Sequence, residues 1–252
     1  MNQYSRTTLL IGPKAIETLH NARVLIFGVG GVGGYAIEAL ARSGVGHMDL
    51  VDDDMVCLTN LNRQLLALRS TIGHKKADLA KERVHDIDPK IEVNVFHTFL
   101  LPDNADEFDF SKYDYVVDAV DTVTAKIEII MRAKAAGVPV ISCMGCGNRL
   151  DPTQIHVSDI YKTTMDPLAK VLRHEMRKRR VRHLLCVWSS EKPIRPDAEN
   201  DDDNCRTHCV CPPGQTRSCS VRRDIPGSSA FVPPAAGLAI ASTVVRELIA
   251  GC

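Results

Sequence analysis

Residues 23–33 read RVLIFGVGGVG, a short apolar segment that runs into a cluster of glycines. A run of β-branched and aromatic side chains bounded by glycine is typical of a buried strand. From residue 31 to 41 the apolar positions recur at about 3.6-residue spacing, which predicts a helix directly after the glycines. A second apolar segment, residues 47–51, ends at three consecutive aspartates. The sequence therefore predicts strand, glycine loop, helix and second strand in succession.

The same alternation continues to about residue 143. Helices are predicted over residues 75–86 and 124–136, and strands over residues 91–96, 113–118 and 138–143. The first of these helices should stop before Pro89, because proline disfavours the helical conformation in the residue that precedes it. Repeated strand–helix–strand units predict an α/β fold, a doubly wound, Rossmann-like and mostly parallel sheet.

Beyond residue 149 the pattern predicts a C-terminal α/β elaboration. Asp166-Pro167 is a helix start, with an aspartate cap and a proline in the first turn, and the helix should run to about residue 180. The other predicted elements are strands at residues 151–160 and 184–188, a long loop at 191–226 and a closing helix at 235–250. We expect residues 1–252 to form one domain, with a nucleotide-binding core over about 1–148 and the elaboration over about 149–252.

Composition narrows the class of protein. The chain has 252 residues, of which 44% are hydrophobic, as in ordinary globular proteins. It contains no apolar run of about 20 residues and no signal-peptide pattern at its start, so we expect a cytoplasmic protein without a membrane span. The formal net charge is +0. Any nucleic-acid partner must therefore be bound by a local patch rather than by global charge.

The glycine loop predicts a nucleotide site. Glycines 28, 30, 31 and 33 stand between strand and helix, where backbone N–H groups and the helix dipole favour a phosphate. Asp52 follows about 20 residues on, where a carboxylate accepts hydrogen bonds from ribose hydroxyls. This pattern does not distinguish NAD, FAD and ATP. The alternative is that the glycines serve only strand-to-helix packing.

A further set of residues favours ATP. It resembles the adenylation core of the ThiF-like superfamily, which includes ubiquitin-activating enzymes and the activators of molybdopterin and thiamine sulfur carriers. The resemblance extends to about residue 148, and it is carried by Asp54, Asn60, Arg63, Gln64, Lys76 and the segment Asp118-Ala119-Val120-Asp121.

The chemistry of adenylation accounts for these residue types. When a carboxylate attacks the α-phosphorus of ATP, negative charge builds up on the phosphoryl group and on the departing pyrophosphate, and the cations Arg63 and Lys76 would offset it. Asp121 would bind Mg²⁺. The resemblance implies that Asn60 and Gln64 orient phosphate or ribose. Taken alone, Lys76 is typical of a solvated helix face and Asp121 could cap the following helix; it is their joint occurrence that favours the phosphate and magnesium roles.

Near the start of the sequence, Arg6-Thr7 resembles the superfamily segment whose arginine reaches a nucleotide across a dimer interface. This resemblance implies a homodimer with Arg6 in the partner's site. The alternative is an ordinary surface arginine.

The later segments resemble one family within the superfamily, the tRNA threonylcarbamoyladenosine dehydratases. Residues 151–154, 158–169 and 231–238 carry this resemblance. It implies that the enzyme adenylates the threonyl carboxylate of a modified adenosine beside the anticodon and closes it to a ring, without a thioester. The alternatives are an adenylyltransferase that activates a ubiquitin-like sulfur carrier, and a nucleotide-sensing module without turnover. A cysteine desulfurase or a sulfur acceptor is a candidate accessory partner.

A basic segment is the candidate tRNA-binding surface. Against the single acidic residue Glu175, the segment from residue 168 to 182 contains Lys170, Arg173, Arg177, Lys178, Arg179, Arg180 and Arg182. Clustered cations of this kind bind phosphates. The alternative is a solvated face balanced by the acidic run at residues 197–203.

The cysteines allow several interpretations. Cys205, Cys209, Cys211 and Cys219 could supply four thiolates to zinc; free thiols or a transient disulfide are the alternatives. Cys143 and Cys146 have C-x-x-C spacing, which fits redox or metal use but also buried thiols that fill small spaces. Cys186, inside an apolar segment, is predicted to lie in the core.

Overall fold

The computed structural model describes residues 2–195, 212 and 226–252. Within this part of the chain the helices are α1 (Ser5–Ile11), α2 (Pro13–Asn21), α3 (Gly33–Ser43), α4 (Lys76–Ile87), α5 (Val123–Ala135), α6 (Pro167–Lys178) and α7 (Val232–Leu248). The strands are β1 (Arg23–Phe27), β2 (His47–Val51), β3 (Glu92–Phe96), β4 (Tyr115–Asp118), β5 (Val140–Cys143), β6 (Ile155–Asp159) and β7 (Leu185–Ser189).

All seven strands form one sheet in the order β3-β2-β1-β4-β5-β7-β6. Every neighbouring pair is parallel except β6 and β7, which are antiparallel. The strand order reverses direction between β1 and β4, and in sheets of this kind ligands bind at that switch point. The predicted doubly wound sheet with a C-terminal α/β elaboration is confirmed.

Helices cover both faces of the sheet. Along β1, Val24 and Ile26 point into a core shared with α3, α4 and α7, while Leu25 and Phe27 point into a second core shared with α5 and α6. Burial on both faces is the reason that parallel strands are apolar throughout rather than alternating with polar residues.

The last helix packs closely against the helix that follows the glycine loop. A Cβ added to Gly237 of α7 would lie 2.3 Å from the carbonyl oxygen of Val32, just before α3. Only glycine permits this approach. The C-terminal elaboration thus contributes to the same core as the loop.

Most predicted elements are confirmed within a few residues, and the differences have local causes. Helix α4 ends at Ile87 and Asp88 is extended, as Pro89 requires. Helix α6 ends at Lys178 rather than near residue 180, where Arg180 has φ 57°. Helix α7 starts at Val232 rather than at residue 235, because prolines are accepted in a first turn.

The elements α1 and α2 were not predicted from the sequence. Of the predicted strand at residues 151–160, only Ile155–Asp159 is extended, and a short 3₁₀ turn at Pro152–Gln154 precedes it. Within the described residues, no helix combines the length and the apolar character needed to cross a membrane.

Candidate active site

A cavity of about 650 Å³ opens at the carboxyl ends of the central strands. This volume is within the usual range for small-molecule sites. The cavity has two walls. The first is formed by the glycine loop and by residues 52–76 and 119–121, and the second by residues 143–149, the start of α6 and the segment 226–233.

The glycine loop forms the floor of the first wall. Gly28 has φ 92°, and a Cβ there would lie 2.8 Å from the carbonyl oxygen of Ala119. A Cβ on Gly33 would lie 1.8 Å from the carbonyl oxygen of Gly28. Gly28, Gly30 and Gly31 line the cavity, whereas Gly33 packs behind them. Three of the predicted glycines therefore face the cavity, and the fourth permits close packing.

Asp52 closes the loop against the end of β2. Its two carboxylate oxygens accept hydrogen bonds from the backbone N–H groups of Val29 at 2.6 Å and Asp54 at 2.8 Å. Burial raises the pKa of the Asp52 carboxyl, and the charge of Lys76 partly opposes that shift. Asp52 thus holds the loop in place, while its predicted contact with ribose remains a prediction.

Lys76 is buried in the cavity wall. Its side chain, on the first residue of α4, is 6% exposed and places Nζ 2.9 Å from Oδ2 of Asp54. The alternative interpretation of Lys76 as part of a solvated helix face is wrong. The residue lines the cavity, and its predicted contact with phosphate stays a prediction.

Arg63 and Gln64 extend over the glycine loop from the turn that follows β2. The Cγ atom of Arg63 lies 3.4 Å from the position that a Gly31 Cβ would occupy, and its Nη1 donates to the Thr59 carbonyl at 3.1 Å. Nε2 of Gln64 lies 3.9 Å from the corresponding position at Gly30.

Asn60 shapes that turn. Its Oδ1 accepts a hydrogen bond from the Cys57 N–H at 3.2 Å, and its carbonyl accepts one from Gln64 at 2.9 Å. Asn60 also lines the cavity. It therefore positions Arg63 and Gln64 in addition to its predicted contact with the ligand.

Asp121 lies beyond the end of β4, exposed at the cavity. The N-cap of α5 is Thr122, so Asp121 does not occupy the capping position. Beneath it Asp118 pairs with Lys126, both fully buried, with 3.0 Å between Oδ2 and Nζ. Nζ of Lys126 also donates to the Cys143 carbonyl at 2.6 Å.

Lys126 was missed in the sequence. Its helical spacing could have indicated a buried position, because Lys126 shares the buried face of α5 with Ala125, Ile129 and Ile130. A lysine at such a position requires a buried acidic partner.

The second wall was also missed as a set of site residues. Asp166 caps α6 as predicted, since it accepts the Ala169 N–H at 2.9 Å, and it faces the buried Arg149 at 3.4 Å. Burial raises the pKa of the Asp166 carboxyl. The lining residues of this wall are Cys143, Met144, Gly145, Cys146, Gly147, Asn148, Arg149, Asp166, Pro167, Leu168, Pro226, Ser228 and Pro233.

The cations of the basic segment differ in their surroundings. Arg173 donates to the backbone and the hydroxyl of Thr163, and Arg177 lies over the ring of Tyr161, 5.4 Å from its centroid. Lys178 and Arg179 both pair with Glu175. Lys170, Arg180 and Arg182 are exposed. The basic segment is therefore exposed over part of its length and partly neutralised by Glu175, and its binding of tRNA stays a prediction.

One predicted site residue lies apart from the cavity, and four others cannot be placed. Arg6 is exposed on α1, apart from the described lining of the cavity. Its neighbours Leu9 and Leu10 are 89% and 84% exposed. The proposed zinc ligands Cys205, Cys209, Cys211 and Cys219 lie outside the described residues. Cys186 is buried in the core, as predicted.

The sheet, the glycine loop and the convergent charged residues define a Rossmann-like protein with a nucleotide-type site. Residues 4–249 match the ThiF family, and the chain belongs to that family.

Two known relatives are similar to the chain over nearly its whole length. The chain is 41% identical over 256 residues to the tRNA threonylcarbamoyladenosine dehydratase of Bacillus subtilis (strain 168), covering 99% of this chain and 95% of that protein. It is similar, with a TM-score of 0.83 and 32% identity, to the structure of the E. coli tRNA N6-threonylcarbamoyladenosine dehydratase in complex with ATP, covering 98% of this chain and 94% of that one.

The similarity to sulfur-carrier enzymes is shorter. An adenylyltransferase and sulfurtransferase of Culex quinquefasciatus is 43% identical over 126 residues, which is 49% of this chain and 28% of that protein. The dehydratases thus match both walls of the cavity, whereas this relative matches half of the chain.

Proposed function

We propose that this protein is an ATP-dependent dehydratase that adenylates the threonyl carboxylate of threonylcarbamoyladenosine in tRNA and closes it to the cyclic form. The observation that carries the proposal is that the glycine loop, two cations and Asp121 face a second wall of separate origin across one shared cavity. Such a two-walled cavity suits a nucleotide and a carboxylate substrate side by side.

The first step joins the carboxylate to the nucleotide. A threonyl carboxylate oxygen attacks the α-phosphorus of ATP, the bond from that phosphorus to the bridging oxygen breaks, and pyrophosphate leaves with the electron pair. Backbone N–H groups of the glycine loop bind phosphate oxygens. Lys76 and Arg63 offset the charge that develops during transfer. Because contacts within the protein already hold both side chains in place, little free energy is lost in reorganising them during the reaction.

The second step closes the ring. A nucleophile of the same modified base attacks the acyl carbon, the carbon–oxygen bond to the phosphate breaks, and AMP leaves. One carboxylate oxygen departs with AMP and the attacking nucleophile releases its proton to solvent, so relative to the starting carboxylic acid the tRNA loses the elements of water. The wall formed by residues 143–149 and α6 would keep bulk water away from the acyl-adenylate.

Magnesium fits Asp121, an exposed carboxylate at the cavity beyond a strand end. When bound, the ion would offset charge on phosphate oxygens. Zinc at Cys205, Cys209, Cys211 and Cys219 remains a prediction. Metal analysis of the purified chain, beside a variant with these four residues changed to serine, tests it.

The central experiment incubates the enzyme with tRNA, ATP and magnesium and then analyses the tRNA nucleosides by mass. We expect threonylcarbamoyladenosine lighter by one water, and no such product with the Lys76→Ala variant. If pyrophosphate exchange into ATP requires a small carrier protein and leaves tRNA unchanged, the chain is instead an activator of that carrier. Nucleotide binding without turnover on either substrate would indicate a sensing module.

In this proposal the tRNA lies across both walls of the cavity. Residues 1–252 then act together as one adenylating unit, and the protein is cytoplasmic. Helix α6 supports this placement, because its first residues line the cavity and its other end carries the basic cluster. Its 12 residues span about 18 Å. Reversing the charge of Arg177, Arg179 and Arg180 should weaken tRNA binding and lower its salt dependence. Unchanged binding would remove this surface from the proposal.

We further propose a homodimer in which Arg6 reaches the partner's nucleotide. The support is an exposed arginine that lies beside two exposed leucines on α1. The test mixes the Arg6→Ala and Lys76→Ala proteins under conditions in which subunits exchange. Half of the resulting dimers would be mixed, each with one intact site, so about one quarter of the activity should return. No recovery would place Arg6 in its own subunit's site, and full activity of the Arg6→Ala protein alone would place it outside any site. A cysteine desulfurase or sulfur acceptor remains a candidate accessory partner, testable by co-purification.

A further inference from the structure

Two thiols in the second wall of the cavity lie close enough to react with each other. Cys143 ends β5 and is 3% exposed, while Cys146 is partly exposed, and both line the cavity. Their Sγ atoms are 3.6 Å apart. A disulfide needs about 2.05 Å, so its formation requires the sulfurs to approach by about 1.5 Å. The adenylation chemistry proposed above uses no thiol.

The two thiols are not equivalent. The hydrogen bond with Cys146, followed by burial, raises the pKa of the Cys143 thiol, which therefore stays protonated near neutral pH. Cys146 is the more exposed of the two, so a reagent that enters the cavity meets it first. This arrangement of an accessible thiol beside a buried second thiol is the one that sequential oxidation requires.

We propose that Cys143 and Cys146 are an oxidation site that forms a reversible intramolecular disulfide in the cavity wall, with a hydroperoxide as the oxidant. The Cys146 sulfur attacks a peroxide oxygen, the O–O bond breaks, and Cys146 becomes a sulfenic acid. The Cys143 sulfur then attacks the Cys146 sulfur, the S–S bond forms and the S–O bond breaks. The Cys143 proton leaves with the hydroxide as water. Two thiols and hydrogen peroxide thus give a disulfide and two waters.

The disulfide would affect the reaction through the hydrogen bonds made by the turn that contains it. The Cys143 carbonyl accepts the Lys126 Nζ at 2.6 Å, and Lys126 holds Asp118 at the base of the segment that carries Asp121. The carbonyl of Gly145, between the two cysteines, accepts a hydrogen bond from Arg149. Drawing the turn together displaces groups on both walls, and we expect slower adenylation. This consequence rests on the proposed function, whereas formation of the disulfide does not.

The sequence allows a direct test. Cleavage after lysine and arginine releases residues 135–149 as one peptide, in which Cys143 and Cys146 are the only cysteines. The full-length protein is treated with hydrogen peroxide, alkylated with iodoacetamide and digested. We expect this peptide without alkyl groups and lighter by two hydrogen atoms than the reduced form. Dithiothreitol should restore two alkylations. AMP production should fall about fivefold or more on oxidation and recover on reduction, as is typical of coupled sites.

Two variants serve as controls, each compared with its own reduced sample. Cys252→Ser removes an exposed thiol and should leave the oxidation response intact. Cys146→Ser should abolish the reversible loss of activity. Two alkyl groups on the peptide after peroxide, or a cross-link from Cys146 to a cysteine elsewhere, would overturn the site. A complete bridge with unchanged AMP production would overturn its effect on turnover. If the protein makes no AMP in either state, the proposed function fails, and the peptide mass still decides the disulfide.

Discussion

Two lysine–aspartate pairs at the carboxyl edge of the sheet have the same chemistry and different surroundings. Lys126 lies 3.0 Å from Asp118, and Lys76 lies 2.9 Å from Asp54. Both side chains of the first pair are 0% exposed, whereas those of the second are 6% and 26% exposed. The first pair has its remaining partners inside the protein, and the second faces the cavity. The difference indicates that one pair stabilises the fold and the other is available to a ligand.

The largest effect on stability is expected from Lys126→Met. The variant leaves Asp118 buried without its cation, which should lower the free energy of unfolding by about 3–5 kcal/mol. Urea unfolding followed by circular dichroism measures it. As a control, the double variant Lys126→Met/Asp118→Leu removes both charges and should regain part of the loss. A loss below about 1 kcal/mol would contradict the structural role of this pair.

The Lys76→Ala variant should lose activity rather than stability. Loss of one preorganised charge typically lowers kcat by about 10²–10³-fold. AMP release measures it, and the urea midpoint should change far less than in Lys126→Met. Lys81→Ala, on the same helix but away from the cavity lining, is the matched control and should keep its activity. If Lys76→Ala destabilised the fold as much as Lys126→Met, the contrast between the two pairs would be wrong.

At a third pair, Arg149–Asp166, the predicted effect is a smaller difference in stability between two variants, Asp166→Ala and Asp166→Asn, because both lose the buried ion pair and only the first loses the helix cap. Asp166 both caps α6 and faces Arg149. Asn caps helices about as well as Asp, while Ala costs about 0.5–2 kcal/mol. We therefore expect Asp166→Ala to be less stable than Asp166→Asn in urea unfolding. Equal stabilities of the two variants would show that the cap contributes little. Their shared loss of stability relative to wild type would then come from the broken ion pair.

The smallest effect is expected at the exposed end of α6. Lys178 and then Arg179 lower the pKa of Glu175 to about 2, from the ordinary 4.5. A lowered carboxyl pKa stabilises the fold above pH 4.5, and this contribution disappears as the pH falls toward 2. The gap in Tm between wild type and Glu175→Gln should thus be largest near neutral pH and narrow below pH 4.5. Salt should reduce it. A gap that does not depend on pH would contradict the pairing.

The first wall of the cavity could be predicted because its residues follow contiguous patterns. The strand, the glycine loop and Asp52 form one continuous unit, and strand β2 has the predicted bounds, residues 47–51. The roles of Arg63, Lys76 and Asp121 came from spacing that resembles a family, and the fold brings these residues to one cavity.

The second wall depends on contacts between segments far apart in sequence. No local sequence pattern marks Asn148 as part of a site. Its N–H nevertheless donates to the carbonyl of Gly227, about 80 residues further along the chain, at 2.8 Å. Local periodicity carries no information about such a pairing. The same limit explains Lys126, whose acceptors Asp118 and Cys143 lie on two different strands.

The close packing of Gly237 against the residue before α3 has a consequence for synthesis of the chain. The glycine loop is translated well before α7, the helix that supports it, because α7 begins only at Val232. Until α7 emerges, the loop lacks part of the surface on which it rests. Nascent chains that stall before residue 232 should therefore bind nucleotide poorly, however complete their first half is.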